Sequence, residues 1–430
     1  MTTLKPAITL RDAYRFFVPL VFMTELNMIS KSVIHAFLAR TATPSVTLAA
    51  FNVSFTFYYT VSSATEVTTY LTISYLRDKR CLPRLVAFLC VILSVPLSLA
   101  LLVAFTGIGD WLYGTVFGAS ESAVREAKLA TFVLTLSAPV LILRGIAFAI
   151  LMVNRRTLYI TWSTLVRLIS LGGSLFILPL FLSGAVIGAA ALVTCMCFES
   201  VFAWLFARAY WRALPASTGE PPPRMRELWR FAWPLILNQA SEMGVVFVIN
   251  LFLGRLANAD LALAAFGVVH GLVSLLFSPM RNLVQTAQTL VASRADARVL
   301  GSFTIQLAAF FAAVAVILFY TPLESWVLDT VMGLTRELSA YCAEALRLAF
   351  AMAFFWAIAA FFRGLLAGAR STTMLAASGA LRVLAVAALG SVTIFHPDLN
   401  GALLGLGAWI LAYAVESALL GWRLGRRLGT

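Results

Sequence analysis

Thirteen charged side chains interrupt stretches of this sequence that are otherwise apolar. Seven are basic (Lys31, Arg144, Arg167, Arg281, Arg347, Arg363 and Arg382) and six acidic (Glu25, Glu66, Glu199, Glu242, Glu344 and Glu416). A charge at the centre of a bilayer costs about 2.5–3.5 kcal/mol on insertion scales, so such residues pair, line a wet path or bind ions. Arginine forks match carboxylate and phosphate groups bidentately. Buried carboxylates are the usual proton carriers. The chemistry on offer is therefore ion pairing, anion recognition and coupling to a proton or sodium ion.

Helical spacing sorts these groups. In the first apolar stretch Thr24, Asn27, Lys31 and His35 follow at steps of three, four and four, and so share one face. In the second, Thr56, Tyr59, Ser63, Glu66, Tyr70 and Ser74 do the same. The eighth stretch repeats the stripe as His270, Ser274, Ser278, Arg281, Gln285 and Gln288, and the seventh carries Asn238, Glu242 and Asn250. These stripes are expected to line a cleft, with Glu25, Glu66 and Glu242 as the coupling carboxylates. Glu66 and Arg281 occupy equivalent places, which leaves two readings: they pair when the cleft closes, or each is held permanently within its own half. Arg144 and Arg363 each precede a glycine late in their stretches. Arg144 is placed equally well in a cationic cavity or at the headgroups, and Arg363 is expected to snorkel. Arg167 and Arg382 read as structural. So do Glu199 and Glu416, which share a face with Gly188 and Gly405 and their close-packing G-x-x-x-G pairs.

The elements that must position these groups follow from composition. Of 430 residues 61% are hydrophobic and 12% charged, with a mean hydropathy of +0.91. A soluble chain of this size could not cover its surface with so few charges. Twelve stretches reach the roughly 20 apolar residues that span a bilayer: 13–38, 46–76, 85–107, 127–151, 157–180, 184–207, 229–254, 262–292, 300–322, 340–366, 372–395 and 401–422. Runs such as "FFAAVAVILF" lack the alternation of a membrane barrel. The expected fold is thus an all-α polytopic membrane protein of twelve transmembrane helices. The first stretch lacks a cleavage-site pattern and is expected to be retained.

Charge sets the orientation. With a cytoplasmic N-terminus the cytoplasmic segments hold twenty basic residues, and the opposite loops hold Arg40, Arg125, Lys128, Arg255 and Arg336. Both termini are expected in the cytoplasm. The net charge of +13 then reports topology, and no basic face for nucleic acid is visible. Five scattered cysteines and three histidines (His35, His270, His396) give neither a disulfide framework nor metal-ligand spacing. No phosphate-binding loop, H-E-x-x-H or G-x-S-x-G occurs, so neither cofactor nor enzyme activity is expected.

The chain also repeats itself. "YRFFVPL" at Tyr14–Leu20 lines up with "WRFAWPL" at Trp229–Leu235, a shift of 215. The same shift superimposes Leu38 and Arg40 on Leu253 and Arg255, and "LAAF" at Leu48–Phe51 on Leu263–Phe266. At 217, Gly184, Gly188, Glu199 and Ser200 become Gly401, Gly405, Glu416 and Ser417. Six spans per repeat is even, so the halves run in the same sense, a layout known for secondary transporters. The expected division is an N-lobe over 1–208, a cytoplasmic linker over 209–228 with "PASTGEPPPR", and a C-lobe over 229–430.

The two starts, "RFFVPL" and "RFAWPLILNQ…INLFLGRLANADLALAAFG", resemble the MATE-like transporters of the multidrug/oligosaccharidyl-lipid/polysaccharide (MOP) superfamily. The basic "RDKRCLPR" at Arg77–Arg84 echoes the major facilitators, but without their loop glycines. Within the MATE-like group the chain is most similar to the progressive ankylosis family, through "RFFVPL", "WPL" at Trp233–Leu235, "VINLFLGR" at Val248–Arg255, and Arg363 before "GLLAG". "LR" at Leu381–Arg382 and "GALLGLGAWILAYAVES" at Gly401–Ser417 complete the likeness. The resemblance implies a two-lobed secondary-active transporter working by alternating access. It would export organic anions such as citrate, nucleotides or pyrophosphate, with H+ or Na+ as a possible coupling ion. A cation-exporting multidrug antiporter and a lipid-linked precursor flippase are the alternatives. With 28 Arg against four Lys, the expected location is a bacterial inner membrane.

Overall fold

The computed structural model describes residues 8–38, 40–117 and 119–428; the side chains of Lys31, Pro44, Ser45, Asp260, Ile394 and 425–428 are outside that description. All twelve apolar stretches are helical. They form α1 (Leu10–Leu38), α2 (Pro44–Ser62 running through Ser63–Glu66 into Val67–Tyr75), α3 (Cys81–Phe105) and α4 (Glu121–Thr135 with Ala138–Val153). Next come α5 (Leu158–Ile177), α6 (Ala185–Ala213), α7 (Met225–Leu253) and α8 (Ala259–Phe277, then Ser278–Arg281 and Asn282–Leu290). The chain ends with α9 (Arg294–Tyr320), α10 (Arg336–Leu346 with Ala349–Gly368), α11 (Thr373–Gly390) and α12 (Gly401–Leu428).

Among the described residues ten helices are long and apolar enough to cross a membrane, or eleven counting α4, whose two segments meet at 42°. The expected count of twelve exceeds this by one or two, since α2 is not among them and α4 counts only as a bent pair. Within α2 the helix tightens to a 3-10 turn at Ser63–Glu66. Large apolar side chains such as Val95, Phe105, Ile169, Phe176 and Phe181 stand exposed. In a polytopic membrane protein these contact lipid, which needs no hydrogen bonds from them.

The repeat extends to the backbone irregularities. The 3-10 turns Ser63–Glu66 and Ser278–Arg281 lie 215 apart. So do the wide turns Trp111–Val116 and Trp326–Val331, each closed by a 3.0 Å amide–carbonyl bond over five residues. The in-helix prolines Pro19 and Pro234 also match. So do Arg155 (φ 56°) and Arg370 (φ 53°), left-handed residues that end α4 and α10. Irregularities that recur at one spacing belong to the duplicated unit, since each is set by its local sequence.

The described chain divides into two compact units. One is Val18–Ala232; the other joins the residues up to Phe17 with Trp233 onward. The divisions fall inside α1 and α7, again 215 apart, rather than at the proline-rich segment. In the first unit Phe51 sits in a buried core with Ile34, Leu38 and Tyr113. Gly188 makes room for it: a Cβ there would lie 2.9 Å from the Phe51 ring and from Leu38. Gly405 faces Phe266 in the same way.

Candidate functional site

Glu199, 0% exposed, is the centre of the first unit. Its Oε1 accepts from the Thr164 hydroxyl at 2.8 Å, and its Oε2 from Arg144 at 3.2 Å and Arg167 at 3.3 Å. Arg167 also donates to Asn27 Oδ1 at 2.7 Å. Helices α4, α5 and α6 thus meet on one carboxylate, and α1 joins them through Asn27 and Arg167. Desolvating a charge is tolerated only where partners replace the water, and here two guanidiniums and a hydroxyl do so.

The second unit repeats the arrangement and adds to it. Glu416, also 0% exposed, accepts from Arg363 Nε at 2.9 Å, Ser378 Oγ at 3.0 Å and Asn238 Nδ2 at 3.4 Å. Its other oxygen meets Arg363 again and Arg382 at 3.3 Å. Where the first unit has Asn27, this one has Glu242, which binds Arg363, Arg382 at 3.4 Å and Arg281 at 3.8 Å. Tyr413 lies under both buried guanidiniums, with its ring centroid 5.5 Å from Arg363 and 5.6 Å from Arg382. Arg281 stands 5.6 Å over the Trp356 ring. Three arginines face two carboxylates, so this cluster carries one positive charge in excess.

One expectation changes. Arg363 does not snorkel: it is buried and bridges Glu242 to Glu416. Arg281 has a carboxylate in its own unit, Glu242, at 3.8 Å. Arg144 meets Glu199 while keeping 25% of its side chain exposed. Arg167, Arg382, Glu199 and Glu416, read from sequence as structural, turn out to organise the clusters. The signal was their recurrence at shifts of 215 and 217. Thr164, Ser378 and Tyr413 carried no such signal, because a hydroxyl within an apolar run is unremarkable until its neighbour is known.

Of the other predicted residues, Asn238 and Glu242 join the second cluster and Asn27 the first. Glu66 is exposed on its 3-10 turn and accepts from the half-exposed Tyr59 hydroxyl at 3.5 Å. Ser63 and Ser278 turn their hydroxyls to the carbonyls of Thr60 and Leu275. His35 packs against the Phe51 ring, and His270 lies 4.6 Å from Trp409, so both are part of aromatic packing. Gln285 and Ser274 are half-buried on α8, Glu25 and Tyr70 half-buried on α1 and α2, and Asn250 is exposed near the end of α7. The side chain of Lys31 lies outside the described residues. Among the described residues no group of His, Cys, Asp and Glu could hold a metal ion.

The glycines after Arg144 and Arg363 explain how the arginines are delivered. A Cβ on Gly145 would lie 2.7 Å from Thr68 Cγ2; one on Gly364 would strike the Val284 carbonyl and lie 2.6 Å from Ala287 Cβ. Each glycine lets its helix close on the lower part of α2 or α8. Gly364→Ala should therefore lower stability by about 1–3 kcal/mol, the usual cost of overpacking. Gly407→Ala, with open space around it, should not. Equal melting temperatures for the two variants would remove this account of Gly364.

No family model and no curated relative matches the sequence. Solved structures do. A MOP superfamily transporter from Pyrococcus furiosus, described as having a binding pocket of reversed polarity, superimposes with a TM-score of 0.76 at 16% identity, over 97% of this chain and 96% of that one. An outward-facing MATE family multidrug resistance transporter gives 0.74 at 16%, over 97% and 95%. The eukaryotic MATE transporter AtDTX14 gives 0.72 at 16%, over 96% and 95%. Nearly end to end, this integral membrane protein has the fold of the MATE transporters of the MOP superfamily.

Proposed function

We propose that the chain is a secondary-active transporter, not an enzyme, that carries small organic anions by alternating access. The observation that carries this is Arg281. Its side chain is 39% exposed, on a helix break within an apolar span, and belongs to a cluster with one surplus positive charge. An accessible arginine in such a span is where a carboxylate or phosphate would be recognised. The resemblance to the progressive ankylosis family supports citrate, nucleotide or pyrophosphate-like substrates. That a protein of this fold has been described with a pocket of reversed polarity supports substrates of either sign on one scaffold. Glu66, at the equivalent break of α2, is the carboxylate through which H+ or Na+ would couple. The basic loops support a reading in which both termini face the cytoplasm and the chain lies in a bacterial inner membrane.

The second reading is a cation antiporter, favoured by the exposure of Glu66 beside Tyr59. Proteoliposomes offered radiolabelled citrate and pyrophosphate beside a lipophilic cationic dye separate the two. Saturable anion flux without dye flux is expected. Dye flux driven by a proton or sodium gradient, with no anion flux, would replace the anion reading with the second.

A further inference from the structure

The two units exchange the lead-in segments of their first helices. The residues up to Phe17, which open α1, belong to the unit made by the second half; the chain through Ala232, which opens α7, belongs to the first. In each unit one aspartate, at the start of the third helix of that half, captures the foreign segment.

In the first unit that residue is Asp78, 1% exposed. Its Oδ1 accepts from the Arg80 amide at 3.0 Å and from the Cys81 amide and Sγ, each at 3.2 Å, which fixes the start of α3. Its Oδ2 accepts from the Thr218 amide at 2.9 Å and hydroxyl at 3.1 Å, which holds the segment ahead of α7. Lys79 reinforces this with its amide on the Pro215 carbonyl at 3.1 Å and its Nζ on the Arg212 carbonyl at 2.9 Å. Trp229 meets Phe88 with ring centroids 6.4 Å apart.

In the second unit Asp296 does both tasks. Its Oδ2 caps α9 through the Ser293 amide and hydroxyl, each at 2.9 Å, and the Ala292 amide at 3.2 Å. Its Oδ1 accepts from the Ile8 amide at 2.9 Å, ahead of α1. Tyr14 meets Phe303 at 4.8 Å and donates to Gln306 at 3.1 Å. Tyr14 and Phe303 are the repeat equivalents of Trp229 and Phe88, 215 residues apart. Asp78 and Asp296 are not equivalent, being 218 apart. The duplicated fold thus reaches one arrangement through two different aspartates, which a single inherited contact would not explain.

We propose that Asp78 and Asp296 are clasps that keep each lead-in segment fixed to the opposite half throughout the working cycle. Relative movement of the halves is then taken up within α1 and α7, just past Phe17 and Ala232. Pro19 and Pro234 follow those crossings by two residues, and a proline removes a helix hydrogen bond where the bending is needed. The Thr218 amide, followed by the bonds from Cys81 and the Thr218 hydroxyl, holds the Asp78 carboxyl well below the usual carboxylate range. A depressed carboxylate contributes stability that is lost only as pH falls below that range, so this clasp stays shut at neutral pH.

The proposal rests on the transporter reading for its purpose, but its first test needs no substrate. Hydrogen–deuterium exchange on the full chain in nanodiscs should show the Thr218 and Ile8 amides as slow as the starts of α3 and α9. Asp78→Ala should speed exchange across 214–224 by at least tenfold and leave 8–17 unchanged, and Asp296→Ala should do the reverse. Thr218→Val, which spares the cap of α3, should give a smaller effect in the same direction as Asp78→Ala and guards against a variant that does not fold. Fast exchange at either amide in the unmodified protein, or loss of both segments together in one variant, would overturn the clasps. The second test joins cysteines at 14 and 303, and separately at 88 and 229, in a background lacking the native cysteines, using a short thiol cross-linker. Wherever citrate flux is found, cross-linking should leave it intact; abolished flux would show that the segments must detach. Absence of citrate flux in the unmodified protein would count against the transport reading, and the exchange result would still decide the clasps.

Discussion

Glu416→Gln is expected to lower the stability of the folded protein more than any other single charge removal, by about 3–5 kcal/mol, the range for breaking a buried ion pair on one side. The reason is geometric. Arg363 and Arg382 are buried with side-chain exposures of 8% and 1%, so neither can turn to water when its carboxylate goes. Glu242 would remain as the one carboxylate of the cluster, facing three guanidiniums. Glu199→Gln should cost less, because Arg144 retains 25% of its exposure and can rehydrate. Thermal unfolding in detergent compares the pair directly. A Glu416→Gln protein that melts with the unmodified one would mean the cluster is not what holds α7, α10, α11 and α12 together. The double variant Glu416→Gln with Arg363→Gln should be less damaged than the sum of its parts, by about 0.5–3 kcal/mol for residues in one network.

That ordering shows what the repeat does energetically. Each half ties its first, fourth, fifth and sixth helices to one fully buried carboxylate. Lipid supplies no hydrophobic force to drive helices together, so packing and polar contacts must choose the partners. Glu416 accepts from three helices and Glu199 from two, with α1 tied in through Asn27 and Arg167, so each carboxylate specifies which helices meet. The first half does this with Asn27 and two arginines. The second replaces the asparagine with Glu242 and adds Arg281, and the surplus arginine sits at the exposed edge. The halves thus differ at one buried position, Glu242 for Asn27, and at one accessible one, Arg281.

The helices, their order and the duplication were legible because each rests on local pattern. Twenty apolar residues in a row, or the recurrence of "LAAF", need no knowledge of what lies across the bundle. The polar stripes on α2 and α8 were legible for the same reason, since steps of three and four define a face on one helix. The clusters were only half legible. Arg363 was expected at the headgroups because it lies near the end of its apolar run. Its glycine neighbour instead lets α10 press against α8 and turns the side chain inward, which a single helix cannot reveal. Glu416 and Glu242 are 174 residues apart in sequence and share two guanidiniums, those of Arg363 and Arg382. Nothing short of the packed structure joins them. The breaks in α2 and α8 were equally hidden: Pro279 marks the second, but the first passes through "SATE" with no breaker. The exchanged lead-in segments were the least visible, since Asp78 and Thr218 read as one more acid and one more loop residue.

Arg281→Ala is expected to reduce citrate uptake by roughly 10–150-fold, the effect of losing about 1.5–3 kcal/mol of hydrogen bonding to a charged group, while leaving the melting temperature nearly unchanged. The split follows from where the residue sits. Its contact to Glu242 is long, at 3.8 Å, and its side chain is 39% exposed; Glu242 keeps Arg363 and Arg382 when Arg281 is gone. Stability is thus carried by the buried pair and recognition by the exposed arginine. Arg281→Lys should restore part of the uptake, since an ammonium keeps the charge but not the planar fork that grips a carboxylate with two bonds. Its KM for citrate should fall between those of alanine and arginine, with kcat closer to the unmodified value. Arg363→Lys should show the opposite balance, a lower melting temperature first and lost transport only as a consequence. If Arg281→Ala destabilises the protein as much as Glu416→Gln and leaves KM for citrate where it was, Arg281 is another strut of the cluster. The anion would then have to be recognised elsewhere.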